Sequence, residues 1–179
     1  MNSIPTLFEY QAERFSEHLA VKEPDNSITY QELNAKANQI ARIILTHVSN
    51  TNTPIVTLVS NNFSSIVAMM GILKAGKAYV AIDPSYPEER INDILNDSQS
   101  EIIITDDENL ITNRLSSNSG DVIQVSHIIN LNKIDPTIPT SNLDVKILPE
   151  DYANLIYTSG STGKPKGIIN NHRIVLHEL

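Results

Sequence analysis

The run YTSGSTGKPKG, from Tyr157 to Gly167, packs three Gly, two Ser, two Thr and two Lys into eleven residues. Asn154 to Tyr157 before it and Ile168 and Ile169 after it have strand character, so the segment reads as a loop between two strands. Those residue types suit an anion. Gly160, Gly163 and Gly167 permit positive φ and close backbone approach. Backbone N–H groups and the hydroxyls of Thr158, Ser159, Ser161 and Thr162 can donate to phosphate oxygens, while Lys164 and Lys166 add charge. A Gly- and Ser-rich surface turn is the plainer reading. The density of hydroxyls, with two Lys between apolar strands, favours phosphate binding over it.

Other chemistries fit less well. A Walker-type loop needs four residues between its first Gly and the Gly-Lys, but only Ser161 and Thr162 stand between Gly160 and Gly163. Pro165 occupies the place of the magnesium-binding Ser or Thr and offers no hydroxyl, so the loop is expected to enter a strand rather than a helix. Ser161 and Lys164 match the S-x-x-K pattern of penicillin-binding enzymes, yet Gly163 and Pro165 oppose the helix that chemistry requires. His172 and His177 lie five residues apart, about 140° round a helix, and read as ordinary polar positions rather than a ligand pair. No catalytic side chain and no metal-ligand set emerges.

The elements that must position this loop follow from caps and periodicity. Thr6 and Glu9 fit a capping box, with Phe8, Ala12 and Phe15 on one face of a helix running to about His18. A short hairpin is expected from Leu19 to Glu23 and Ser27 to Thr29, turning at Pro24, Asp25 and Asn26. Thr29 and Glu32 form a second capping box. Leu33, Ala37, Ile40, Ala41, Ile44 and Val48 then trace a helical stripe.

Downstream, strands at Thr53 to Ser60, Ala78 to Ile82 and Glu101 to Thr105 alternate with two helices. One runs from Phe63 to Lys74 and is closed by Ala75 and Gly76. The other follows Pro87 and has Ile91, Ile94 and Leu95 on one face. Such alternation is the mark of parallel, right-handed crossover units, so the class is α/β with a mainly parallel sheet. Between 106 and 150 Asn, Ser, Asp and Pro dominate, a weak internal boundary falls there, and Val122 to Val125 is the one strand candidate.

Composition narrows the function classes. Thirteen Lys and Arg against 21 Asp and Glu give a formal charge of −8, so nucleic acid is not an expected partner. No run of about 18 apolar residues marks a membrane span, and MNSIPTLFEYQAERF is not a secretory leader, so a cytoplasmic location is expected. Cysteine is absent, which excludes disulfides, thiolate metal sites and a cysteine nucleophile. The core must be aliphatic, since there are no Trp and three Phe. RIVLHEL at the end carries no helix-stop signal, so Leu179 reads as an interruption.

YTSGSTGKPKG closely resembles the phosphate-binding core motif of the adenylate-forming superfamily, whose members include acyl-CoA synthetases, luciferases and peptide-synthetase adenylation domains. ITYQEL (Ile28 to Leu33) resembles that family's first core motif, and LKAGKAYVAIDP (Leu73 to Pro84) its second, in the same order and spacing. The continuation SYPEERI and the choice of Ser161 are more similar to amino-acid-activating domains of nonribosomal peptide synthetases than to fatty acyl ligases. Ala81 and Asn154 depart from the usual residues. Capping and strand packing account for the first two motifs without a ligand.

The resemblance implies that residues 1–179 are the N-terminal part of an AMP-binding adenylation domain, with a catalytic lysine and carboxylate pocket on later chain. It implies ATP and Mg2+ as cofactors, with contact of Thr158, Ser159, Gly160, Ser161, Thr162, Gly163 and Lys164 with the outer phosphates of Mg-ATP. Lys166 is open to two roles, phosphate contact or the loop's own geometry. The implied reaction joins an amino-acid carboxylate to ATP's α-phosphate, releasing pyrophosphate, and passes the acyl group to the thiol of a carrier protein domain. The 179 residues alone are expected to be inactive, and the alternative is an inactive remnant or split partner that binds nucleotide weakly or complements a missing half. Met1 immediately before the first helix suggests a loading module or stand-alone enzyme.

Overall fold

A computed structural model describes residues 3–48, 53–60, 62–107, 125–159 and 165–177. Runs such as Ile55–Leu58 (β3) and Ile102–Thr105 (β5) are apolar on both faces because both faces are covered. Residues alternate between two cores. Ile55, Ile102 and Ile104 join Leu33, Ile40, Ile44 and Ile72 beneath helices α2 (Tyr30–His47) and α3 (Phe63–Lys74). Val56, Leu58 and Ile103 turn the other way, onto Ile91, Ile94 and Leu95 of α4 (Glu88–Ser98). The result is a three-layer α/β arrangement.

Among the described residues the main sheet has the order β6-β5-β3-β4-β7-β8, with β4 at Tyr79–Ile82, β6 at His127–Asn130, β7 at Tyr152–Ser159 and β8 at Pro165–Asn171. Every pairing is parallel except β7 with β8. This is the expected class. A short antiparallel pair, β1 (Leu19–Lys22) and β2 (Ser27–Thr29), stands apart from it, as the hairpin reading required.

Helix α2 begins with the expected reciprocal cap. The Glu32 N–H donates to Thr29 Oγ1 at 3.2 Å while the Thr29 N–H donates to Glu32 Oε2 at 2.9 Å. Helix α3 keeps its expected bounds, capped by Asn62, whose Oδ1 accepts from the Ser64 N–H, and ended at Gly76, whose φ of 69° is the left-handed conformation a helix stop uses.

Helix α1 differs from expectation. It runs from Ile4 to Arg14, and its cap is Ser3, not Thr6: the Ser3 hydroxyl accepts from the Thr6 N–H, and Pro5 fits the first turn, where no donor is needed. Glu9, released from a capping role, pairs with the buried ammonium of Lys74 on α3. The helix stops at Arg14, short of His18, and the carbonyls of Ser16 and His18 beyond it serve the next helix. They accept from the N–H groups of Gln31 and Tyr30, two of the donors that α2 leaves unsatisfied at its start.

The strand expected at Val122 to Val125 falls almost wholly outside the described residues. Val125 itself precedes a strand, His127–Asn130, in register with Ile102–Thr105. Only Ile129 of that edge strand is buried, so its apolar signal is short. The Pro-punctuated connection beyond it is held by the polar face of α2: Asn38 Nδ2 donates to the Thr140 carbonyl at 2.7 Å, Gln39 Nε2 to Ile138 at 3.0 Å and Arg42 Nε to Pro139 at 3.0 Å. Side-chain amides and a guanidinium thus supply the backbone partners that a strand would otherwise provide.

Candidate functional site

The two ends of the segment from Tyr157 to Gly167 lie on the β7–β8 hairpin. β7 touches β4 through the pair Tyr79 and Asn154 and then continues beyond it to Ser159. The return strand begins at Pro165, so the chain enters a strand, not a helix, after the loop, as the missing P-loop hydroxyl implied. Because β7 runs parallel to β4, the hairpin's turning end points to the carboxyl edge of the parallel strands, the edge at which open α/β sheets bind ligands.

At that end Thr158 lies directly opposite Lys166, and Ser159 opposite Pro165. Thr158 and Lys166 are both exposed, giving one hydroxyl and one ammonium side by side at the mouth of the hairpin. Gly160, Ser161, Thr162, Gly163 and Lys164 lie outside the described residues. The structure therefore brings together the two stems of the segment, Thr158 and Ser159 on one strand and Lys166 on the other.

Gly167 corrects one expectation. It sits in a regular strand opposite Tyr157, and among the described glycines positive φ occurs at Gly76, not at Gly167. Space explains it instead. A Cβ at Gly167 would lie 3.3 Å from Tyr157 Cζ and 3.4 Å from Cε1, so the glycine accommodates an aromatic ring laid across the hairpin.

Two further polar groups support the hairpin. Tyr157 donates from its hydroxyl to Asp97 Oδ2 at 2.7 Å, and burial together with that carboxylate pushes the phenol's pKa well up, so it stays a donor. His172, expected to be an ordinary polar position, is only 1% exposed. It opens the short helix α5 (His172–His177) directly after β8, and its Nδ1 accepts from the Ile4 N–H at 3.3 Å. Burial pushes the imidazole below its usual value, in keeping with a neutral acceptor, although Asp151 opposes the shift. Local spacing carries no signal for either contact, since their partners are 60 and 168 residues away.

Asn154, where the motif departs from the usual residue, is buried and used. Its Nδ2 donates to Tyr79 Oη at 3.3 Å and its Oδ1 accepts from Asn170 Nδ2 at 2.9 Å, linking β4, β7 and β8. Among the described residues no group of three or more His, Asp or Glu is arranged to hold a metal ion, and no helix is long and apolar enough to cross a membrane.

The family of AMP-binding enzymes matches residues 8–179. Gramicidin S synthase 2 of Brevibacillus brevis is 40% identical over 93% of this chain, which corresponds to 4% of that protein. Tyrocidine synthase 1 of Brevibacillus parabrevis is 39% identical over 96% of the chain and 15% of its own length. Among solved structures, a nonribosomal peptide synthetase in its α-methyl-L-serine-AMP-bound form aligns with a TM-score of 0.83 at 26% identity, covering 98% of this chain and 19% of that one. A Mycobacterium tuberculosis fatty acyl-CoA synthetase aligns with a TM-score of 0.86 over 98% of this chain and 36% of that one, and at 22% identity it speaks for the fold alone. The chain thus spans a small part of the proteins it matches, and it belongs to the AMP-binding enzyme family.

Proposed function

We propose that this member of the AMP-binding family is the N-terminal part, residues 1–179, of an amino-acid adenylating domain, and that the β7–β8 hairpin end serves the outer phosphates of Mg-ATP. The observation that carries the proposal is the pairing of Thr158 with Lys166 at the carboxyl edge of a parallel sheet, flanking a segment rich in hydroxyls and glycine. Similarity to peptide synthetases, one of them solved in an α-methyl-L-serine-AMP-bound form, supports an amino acid as the acid substrate.

In the reaction so proposed, a carboxylate oxygen attacks the α-phosphorus. The bond from that phosphorus to the bridging oxygen of the β-phosphate breaks, and pyrophosphate leaves with the electron pair. This chain's share is electrostatic. Lys164, and Lys166 if it reaches, neutralise charge on the departing group, while Thr158, Ser159, Ser161, Thr162 and the backbone N–H groups of Gly160 and Gly163 donate to its oxygens. The segment carries no carboxylate, so Mg2+ is read as part of the nucleotide substrate, held by its phosphates. The acyl group would then pass to a carrier-domain thiol with release of AMP. A cytoplasmic setting, where ATP is supplied, fits this reading.

The test is ATP–pyrophosphate exchange in the full-length protein. Lys164→Ala removes a charge-assisted contact worth about 1.5 to 3 kcal/mol, a roughly 10- to 150-fold loss in the ATP-dependent step with the amino-acid KM unchanged. Unchanged ATP dependence would remove the segment from the active site.

A further inference from the structure

Directly below the Thr158 and Lys166 pair, one side chain ties three elements together. Tyr157 shares the inward face of β7 with Leu155 and packs against the core formed by Val56, Leu58, Val80 and α4. Its hydroxyl crosses to Asp97 in the last turn of α4, at 2.7 Å. Its ring lies against Gly167 so closely that an added Cβ would be 3.3 to 3.5 Å from Cζ, Cε1 and Oη. Neither residue is needed there by the strand itself. An exposed strand position gains stability from a side chain where Gly has none, and a polar tyrosine tip on a core-facing position requires a partner.

We infer that Asp97, Tyr157 and Gly167 form a clamp that sets the spacing and direction of Thr158 and Lys166 toward the nucleotide, making them positioning residues for ATP. The inference rests on the phosphate-binding reading of the same hairpin. Tyr157 fixes β7 against α4 through the hydrogen bond, and its ring, seated close over Gly167, fixes the height of β8 against β7. Each stem therefore has one defined position relative to the sheet. Phosphate contacts need such definition, because displacement of a positioning group by about 1 Å can cost a hundredfold in rate.

The experiment measures ATP and amino-acid KM values by pyrophosphate exchange, alongside melting temperature, in the full-length protein. Tyr157→Phe keeps the ring and removes only the hydroxyl; it is expected to raise the ATP KM by roughly 5- to 10-fold, with amino-acid KM and melting temperature nearly unchanged. Asp97→Ala should have a similar effect, and the double variant should be no worse than either single one, as expected of one shared contact. Gly167→Ala keeps both polar partners but crowds the ring. It should raise the ATP KM while leaving the melting temperature equal or higher, a split that a purely structural role does not produce. If Lys164→Ala raises the ATP KM and the three clamp variants do not, the clamp is overturned and the phosphate reading stands. If no variant, Lys164→Ala included, alters ATP dependence, both fall.

Discussion

Strands β3 and β5 and the β7–β8 hairpin all carry Ile, yet they meet opposite surroundings. Every residue of β3 and β5 is buried, whereas Ile156, Ile168 and Ile169 of the hairpin are each about half exposed, at 51, 52 and 50%. The central strands lie between α2 and α3 on one side and α4 on the other. Among the described residues the hairpin borrows α4 on one face, and β8 is the sheet's edge. An apolar strand thus declares that it needs a cover without saying where the cover comes from. In the centre the described residues supply it; at the hairpin, where the candidate site sits, they leave one face open.

The difference is sharpest in the energetic weight of isoleucines. Ile104→Ala in the central sheet should cost about 2 to 5 kcal/mol, read as a large drop in denaturant midpoint, because a fully enclosed cavity remains. A cost near zero would break the contrast at once. Two ion pairs of opposite exposure offer a second comparison. Glu9→Ala strands the ammonium of Lys74, whose side chain is 1% exposed, and should cost about 3 kcal/mol. Arg173→Ala on the hairpin side removes an exposed pair with Glu150 and should cost about 0 to 1 kcal/mol by the same denaturant titration.

Acid provides a third probe. His172 has its pKa lowered in the folded chain, so the unfolded chain binds the proton more readily. Its contribution is fully present above its ordinary value of 6.5 and is lost as pH falls through the folded value. Melting temperature should therefore decline below about pH 6.5, and His172→Gln should flatten that part of the profile. A profile unaltered in His172→Gln would mean that protonation of His172 is not linked to folding. Loss of the α2 cap in Thr29→Ala should cost about 1 kcal/mol, a local effect seen in thermal melting. Smallest of all, Ile168→Ala should change stability by less than about 0.5 kcal/mol while reducing binding of a hydrophobic dye.

Much of the frame was legible because the forces that start and stop elements act within one turn. Thr29 and Glu32 are three residues apart, and the expected bond pair forms; Asn62, Phe63 and Gly76 bound α3 as their side chains and φ preferences dictate. The same rule misled at α1, where Thr6 and Glu9 have capping spacing but Ser3 and Pro5 begin the helix and Lys74 claims Glu9. At the site, the residue types and the strand that follows Pro165 were readable. Gly167 was not, because its reason is a neighbouring ring rather than its own φ.

What the sequence determined by itself is most of the elements from α1 to β5, the α/β class and the anion-suited chemistry of the segment from Thr158 to Lys166, since caps, periodicity and side-chain type are local properties. Only the tertiary structure decided that β5 lies beside β3 rather than β4, that Tyr157 meets Asp97, that His172 accepts from Ile4, and that Thr158 faces Lys166 on the carboxyl edge. Those partners, apart from the Thr158 and Lys166 pair, are far apart in the chain. Which of them meet is selected by the simultaneous burial of both faces of the sheet, a condition that no single stretch of residues expresses.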